Sequence, residues 1–453
     1  MTHAAQAAAR PPRANLDLDA AVADAEQRYA AANPKSRARH EEAAHHMPGG
    51  NTRTVLHYSP FPLAFARGEG CRLFDLDGHA YLDFLGDHSA ALYGHSDPVI
   101  REAIATAVGD GIALGGPNRY EAALAAEICR RFPSVERIRF CNSGTEANLF
   151  ALGAARAHTG RDAVLVFEGA YHGGVFMFGA PHPINLPLPW LVAPYNDTAG
   201  ALALLAANAD RLTAVLVEPM QGAAGCIPGD PAFLAALREA CTRHGILLIF
   251  DEVMTSRLSP SGLQGRLGIA PDLTTFGKYL GGGLTFGGFG GRAEIMDRFD
   301  PCRPGAIAHA GTYNNNVLTM AAGLAGLTCV LSAAALARLN GLGDSLRQRL
   351  DDLIARHGVP MQATGVGSLV GLHFTRRPVR STADLATDGA GAARRDKLKA
   401  LMHLDLLAQG IHCARRGYLS LSLPMGEAEI DRFCAAFDEV LATRADLIAE
   451  ATP

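Results

Sequence analysis

The 453-residue sequence lacks a cysteine pattern, a charge bias and a long apolar run. Its nine cysteines, at 71, 129, 141, 226, 241, 302, 329, 413 and 434, are odd in number and include no C-x-x-C pair. That argues against a disulfide framework and points to a reduced, cytoplasmic chain. Lys and Arg total 41 against 45 Asp and Glu, a net charge of −4, so there is no electrostatic reason to expect nucleic acid or an anionic membrane as a partner. No uninterrupted apolar stretch approaches the ~20 residues of a membrane span. The start, MTHAAQAAARPPRANLDLD, carries no apolar signal core, so secretion is not expected. With 48% hydrophobic and 19% charged residues, the composition is that of an ordinary globular protein and excludes general disorder.

Glycine is abundant, at 49 residues, and gathers in short loops, which suggests close backbone approaches to a ligand. Residues 1–15 read as a flexible lead, and Ala20 to Ala44 as one helix. LFDLDGHAYLDF reads as a hairpin, because Asp77-Gly78 is a strong turn signal between β-prone runs. From about Pro98, strand-like runs alternate with helical ones: RIRFCN (137–142), AVLVFE (163–168), TAVLVEP (213–219), ILLIFDE (246–252) and LTTFGK (273–278). Alternation of this kind predicts an α/β domain with a mostly parallel sheet. After about Leu331 the texture changes to helices with a few short strands, such as SLVGLHF and YLSLSL. The expected organisation is an N-terminal segment over 1–97, a large α/β domain over 98–330 and a smaller α+β domain over 331–453.

Four constellations could carry chemistry. Asn142-Ser143-Gly144-Thr145-Glu146-Ala147 follows a strand and opens a helix, so its backbone N–H groups can receive a phosphate; taken alone, the peptide is read first as an ordinary N-cap with Glu146 as capping-box partner. Asp251 ends a buried strand, where ligands of open α/β sheets bind. A carboxylate there can hold a heteroaromatic nitrogen protonated, or merely cap the next turn. Lys278 closes another strand before Gly281-Gly282-Gly283, and an amine in such a pocket can have a lowered pKa and form a Schiff base. It could equally be a solvated lysine. A P-loop is excluded, since Tyr279 stands where Ser or Thr is required. The polar run His309–Asn316 is a second possible phosphate contact, or a well-capped loop.

Two patterns are set aside. His40 and His45 lie five apart, roughly 140° around a helix, and cannot share a metal. GGFGGR near residue 290 opens no helix and is no dinucleotide fingerprint.

Taken in order, NSGTEAN (142–148), FEGAYHGG (167–174), VEPMQG (217–222), FDEVMT (250–255), GKYLGGG (277–283) and HAGTYNNN (309–316) resemble the class III pyridoxal-phosphate aminotransferases of fold type I. The likeness runs from about Met47 to Pro424. MPGGNTRTVLHYSPFPL and TYNNNVLTMAAG bring the chain nearest the glutamate-1-semialdehyde aminomutase branch and, within it, the aromatic β-amino-acid (β-phenylalanine) transaminases. The resemblance implies pyridoxal 5′-phosphate as cofactor, with Lys278 forming the Schiff base and moving the proton, and Asp251 on the pyridine nitrogen. It further implies Ser143, Gly144 and Thr145 at the phosphate, Tyr171 and Val253 on the two ring faces, and Glu218 and Gln221 near the phenolic oxygen. Thr312 is expected to reach the phosphate of a neighbouring subunit, making a homodimer with shared sites.

For substrate, the resemblance implies Arg53 on the carboxylate and Arg416 as the mobile arginine, with Arg415 beside it as an alternative. Arg53 in a structural salt bridge is the other reading of that residue. His88 stands where relatives taking β-phenylalanine tend to carry Tyr, which leaves the pocket's size and polarity open. The expected reaction is ping-pong transfer from a β-amino acid to an α-keto acid, 2-oxoglutarate or pyruvate. Intramolecular transfer, as in the semialdehyde aminomutases, is the alternative. A racemase or decarboxylase on the same cofactor stands behind it, and a non-catalytic scaffold is disfavoured by the presence of both Lys278 and Asp251.

Overall fold

The computed structural model describes residues 17–452; the lead assigned to residues 1–15 lies outside them. The five expected runs form strands at Arg137–Cys141, Ala163–Phe167, Leu212–Val217, Leu247–Asp251 and Leu273–Gly277. Leu247–Asp251 is buried at every position, as a continuous apolar run covered on both faces must be. Among the described residues these strands join Trp190–Ala193 and Gly287–Gly291 in one seven-stranded sheet. Across the sheet they begin at residues 137, 287, 273, 247, 212, 163 and 190. Only Gly287–Gly291 runs antiparallel to its neighbours. The carboxyl ends of the others therefore open on one edge.

The run set aside as a fingerprint is thus a strand, and its glycines answer to space. A Cβ would lie 2.2 Å from the Ser143 carbonyl oxygen at Gly287, 2.5 Å from that of Arg137 at Gly290 and 2.1 Å from that of Asp272 at Gly291. No side chain fits between backbones so close.

One expectation is corrected. The single helix over Ala20 to Ala44 is two, Leu18–Ala32 and Pro34–Ala44. Pro34 has no N–H to continue the ladder and forces Asn33 out of the helical region, to φ −124° and ψ 54°.

The hairpin pairs Arg72–Asp75 with Ala80–Asp83 around Asp77-Gly78. Ile411–His412 adds to it in parallel beside Ala80–Asp83, so segments from both ends of the chain share a sheet. Met361–Val366, Leu369–Phe374 and Tyr418–Ser420 make a three-stranded sheet. It is packed by the long helices Ala333–His357 and Glu427–Ala451. Among the described residues no single helix is long and apolar enough to cross a membrane.

Candidate active site

Three chain segments converge at the sheet's carboxyl edge. A Cβ on Gly144 would lie 2.9 Å from Val253 Cγ2, and one on Gly277 would lie 3.1 Å from Val253 Cγ1. Val253 therefore sits against both the start of helix Gly144–Thr159 and the residue before Lys278. The helix start is capped by its own residues. Ser143 Oγ accepts from Glu146 N at 3.1 Å, and Glu146 Oε2 reaches back to Asn142 N at 2.9 Å. The N–H groups of Gly144 and Thr145 lie in the first turn, where an α-helix leaves its donors without internal partners and carries positive potential. Thr145 Oγ1 is held by Gly174 N at 3.2 Å.

Asp251 is buried and fully oriented. Its Oδ2 accepts from Asn148 Nδ2 and His172 Nδ1, each at 2.8 Å, and its Oδ1 from Val253 N at 3.0 Å. Asn148 also donates to the His172 carbonyl at 2.9 Å and accepts from Thr275 Oγ1 at 2.8 Å. This network was not read from the sequence, although Asn148 and His172 lie inside quoted motifs. The available signal was an asparagine in an otherwise Ala/Leu-rich helix.

Lys278 has a left-handed backbone, φ 57°, and its amine makes no hydrogen bond or ion pair among the described residues. Burial, aided by Arg416 and opposed by Asp251, Glu218 and Asp87, brings its pKa down to about 8. Glu218 accepts from Tyr171 N at 3.0 Å and Gly222 N at 2.9 Å. Burial pushes its carboxyl up, with Asp251 adding to the rise and His172 opposing it. Gln221 donates to the Glu168 carbonyl at 2.8 Å, which leaves its buried Oε1 without a donor. Tyr171 keeps 45% of its surface exposed.

The flank of the site is built on a left-handed turn. Gly86, Asp87, His88 and Ser89 have consecutive φ values of 55°, 42°, 54° and 74°. Three of them carry side chains, at a cost of roughly 1–2 kcal/mol each. Arg53 Nη1 is paired with Asp87 Oδ1 at 2.7 Å, with both side chains about half exposed, so the salt-bridge reading of Arg53 is realised in this structure. His88 stacks on Tyr418 at 6.3 Å and 11°. Burial, then Arg416 and Arg53, pushes its pKa down to about 3, so its ring is neutral. The adjacent arginines differ: Arg415 is locked to Asp396 at 2.6 and 2.8 Å, whereas Arg416 has no hydrogen-bond or ion-pair partner among the described residues and a buried, unsatisfied Nε. Its guanidinium carbon lies 5.9 Å from the Tyr418 ring centroid. Thr312 is exposed. Its loop is hydrogen-bonded to the residues before the helix start through Asn314 Oδ1, which accepts from Asn142 Nδ2 at 3.0 Å.

The arrangement fits pyridoxal phosphate. An open helix start can take the phosphate, a fixed buried carboxylate the ring nitrogen, the unsatisfied Gln221 Oε1 a polar ring substituent, and the depressed-pKa Lys278 the aldehyde. A sheet of this topology with such a site defines a pyridoxal-phosphate transferase of fold type I. Comparison with known proteins narrows the class. The aminotransferase class-III model matches residues 56–441. The chain is 51% identical over its whole length, and the relative's, to a β-phenylalanine transaminase of Variovorax paradoxus. It is 39% identical to a glutamate-1-semialdehyde 2,1-aminomutase of Sorangium cellulosum, over 90% of this chain and 96% of that protein. A crystal structure of the β-phenylalanine aminotransferase from V. paradoxus superposes with a TM-score of 0.92 at 52% identity, covering 94% of this chain and 98% of the other. The chain belongs to the class III aminotransferases, enzymes that use pyridoxal phosphate.

Proposed function

We propose that this aminotransferase moves the amino group of an aromatic β-amino acid, β-phenylalanine among them, to 2-oxoglutarate or pyruvate in two half-reactions. The observation that carries the acceptor side is Arg416, unpaired over the Tyr418 ring and within electrostatic reach of Lys278, while Arg415 is tied away. The V. paradoxus relative supports the donor side. A mutase has no external acceptor for an unpaired arginine to receive, and the S. cellulosum aminomutase stands at lower identity.

When bound, pyridoxal phosphate supplies a ring that takes up the electron pair left on the substrate carbon as its proton departs. The chain's residues do the rest. Ser143, Gly144 and Thr145 bind the phosphate, Val253 and Tyr171 enclose the ring, and Glu218 and Gln221 stand near its oxygen. Asp251, aimed by Asn148 and His172, keeps the ring nitrogen protonated. Lys278 would hold the cofactor's aldehyde end, and its amine, neutral in part near pH 8, would take and return the proton at the substrate carbon. Arg53 leaves Asp87 to bind the substrate carboxylate. Arg416 receives the acceptor's distal carboxylate and withdraws for an aromatic side chain; His88 and Tyr418 line that side pocket. Thr312 reaches the phosphate of the second subunit of a homodimer, working in the cytoplasm.

Arg416→Ala tests this reading against Arg415→Ala. Loss of a charge-assisted bond of about 1.5–3 kcal/mol raises KM for 2-oxoglutarate roughly 10- to 100-fold in the first variant. Arg415→Ala removes only a half-exposed pair and leaves that KM within about twofold. Equal effects in both variants, or none in Arg416→Ala, contradict the assignment.

A further inference from the structure

Among the buried charges that the mechanism leaves unused is Arg257. It lies in the short helical turn Thr255–Leu258 that follows Asp251, and it is fully buried. It has no carboxylate partner among the described residues. Its Nε donates to Ser368 Oγ at 3.2 Å, and its Nη1 to Ser420 Oγ at 3.0 Å and to the Ser89 carbonyl at 3.5 Å. Its Nη2 donates to the Leu421 carbonyl. A cation so placed is retained against its desolvation only by several well-aimed acceptors, and these come from separate elements.

Two of those elements flank the site. Ser89 is the last residue of the left-handed turn that carries Asp87 and His88. Ser420 ends the strand that begins at Tyr418, two residues after Arg416, and its N–H donates to the Phe84 carbonyl at 2.6 Å. At the turn's other end, Asp83 Oδ1 accepts from Leu85 N at 3.0 Å and Gly86 N at 3.1 Å. A strained backbone persists only where its surroundings over-determine it, and here Asp83 and Arg257 grip the two ends.

We propose that Arg257 is a positioning residue. By tying Ser89 to Ser420, it holds the turn bearing Asp87 and His88 in register with the segment bearing Arg416, and so sets the shape of the substrate side-chain pocket. It touches neither substrate nor cofactor.

The test uses the loaded enzyme and three variants. Arg257→Lys shortens the clamp, Ser420→Ala removes its contact on the strand that follows Arg416, and Ser368→Ala removes a bond of similar length away from both flanking elements. Hydrogen–deuterium exchange reads the amides of residues 84–91, and initial rates read KM and kcat. In Arg257→Lys and Ser420→Ala the turn exchanges roughly tenfold faster. In the same variants KM for β-phenylalanine rises about tenfold while kcat stays within about twofold. In Ser368→Ala neither changes, and the cofactor's absorption band is unaltered in all three. Wild-type exchange in both clamp variants overturns the proposal, as does an equal effect in Ser368→Ala. If Arg257→Lys does not fold, the two serine variants decide. The KM comparison rests on the β-amino-acid reading and the exchange measurement does not; a wild-type enzyme inert to β-phenylalanine sinks that reading and leaves exchange to judge the clamp.

Discussion

Lys278 faces opposing demands: its amine must be accessible as a nucleophile, yet it lies among charges of both signs. Burial and Arg416 favour the neutral form, while Asp251, Glu218 and Asp87 favour the charged one. Burial wins, bringing the pKa from 10.5 to about 8. Because the neutral amine is the nucleophile, the rate at which cofactor-free enzyme takes up pyridoxal phosphate is expected to rise with pH and level off above about 8. Stopped-flow absorbance measures this; a midpoint near 10.5 or a flat profile contradicts the burial argument. Lys278 and Asp251 were legible in the sequence because each closes an apolar run where a polar residue is conspicuous. Asn148 and Arg257 were not, because their roles rest on partners 103 and 168 residues away, Asp251 and Ser89. Nothing local distinguishes such a buried polar residue from a solvated one.

Among the elements, the strands of continuous apolar residues were legible and the glycine strand was not. Glycine is depleted in strands, so GGFGG carries no β signal; the crowding that demands it exists only once Ser143, Arg137 and Asp272 stand opposite. The same crowding ties this strand to the phosphate end of the site. Gly287→Ala drives a Cβ into the Ser143 carbonyl at 2.2 Å. It is expected to destabilise the protein by about 1–3 kcal/mol and to weaken cofactor retention. Gly153→Ala, inside helix Gly144–Thr159 with nothing within 4 Å of the new Cβ, is expected to be neutral or to stabilise by about 0.4–1 kcal/mol. Thermal unfolding of both loaded variants checks the contrast, and a tolerated Gly287→Ala refutes the packing account. The break between the first two helices was in principle legible too, since Pro34 sits in the middle of the run.

At the scale of the whole molecule, the site within a single chain lacks one contact that the proposed reading expects. Thr312 is exposed, and the role proposed for it comes from the family resemblance alone, since a single chain's sequence holds no record of a neighbour. Thr312→Ala is expected to weaken cofactor retention about tenfold. Mixing and reassembling it with Lys278→Ala subunits is expected to restore wild-type retention at the one live site of each hybrid. That site combines an intact Lys278 with an intact Thr312 from the other chain. No recovery in the hybrids contradicts the shared-site dimer.

The central claim is intermolecular amino transfer from a β-amino acid, and a half-reaction tests it most directly. The loaded enzyme is mixed with β-phenylalanine in the absence of any keto acid, and its visible absorption band is followed. The account predicts that the band bleaches and returns when 2-oxoglutarate is added, with glutamate formed in equal amount. A band unmoved by β-phenylalanine but shifted by a diamino or semialdehyde substrate would contradict it and make the enzyme an intramolecular aminomutase.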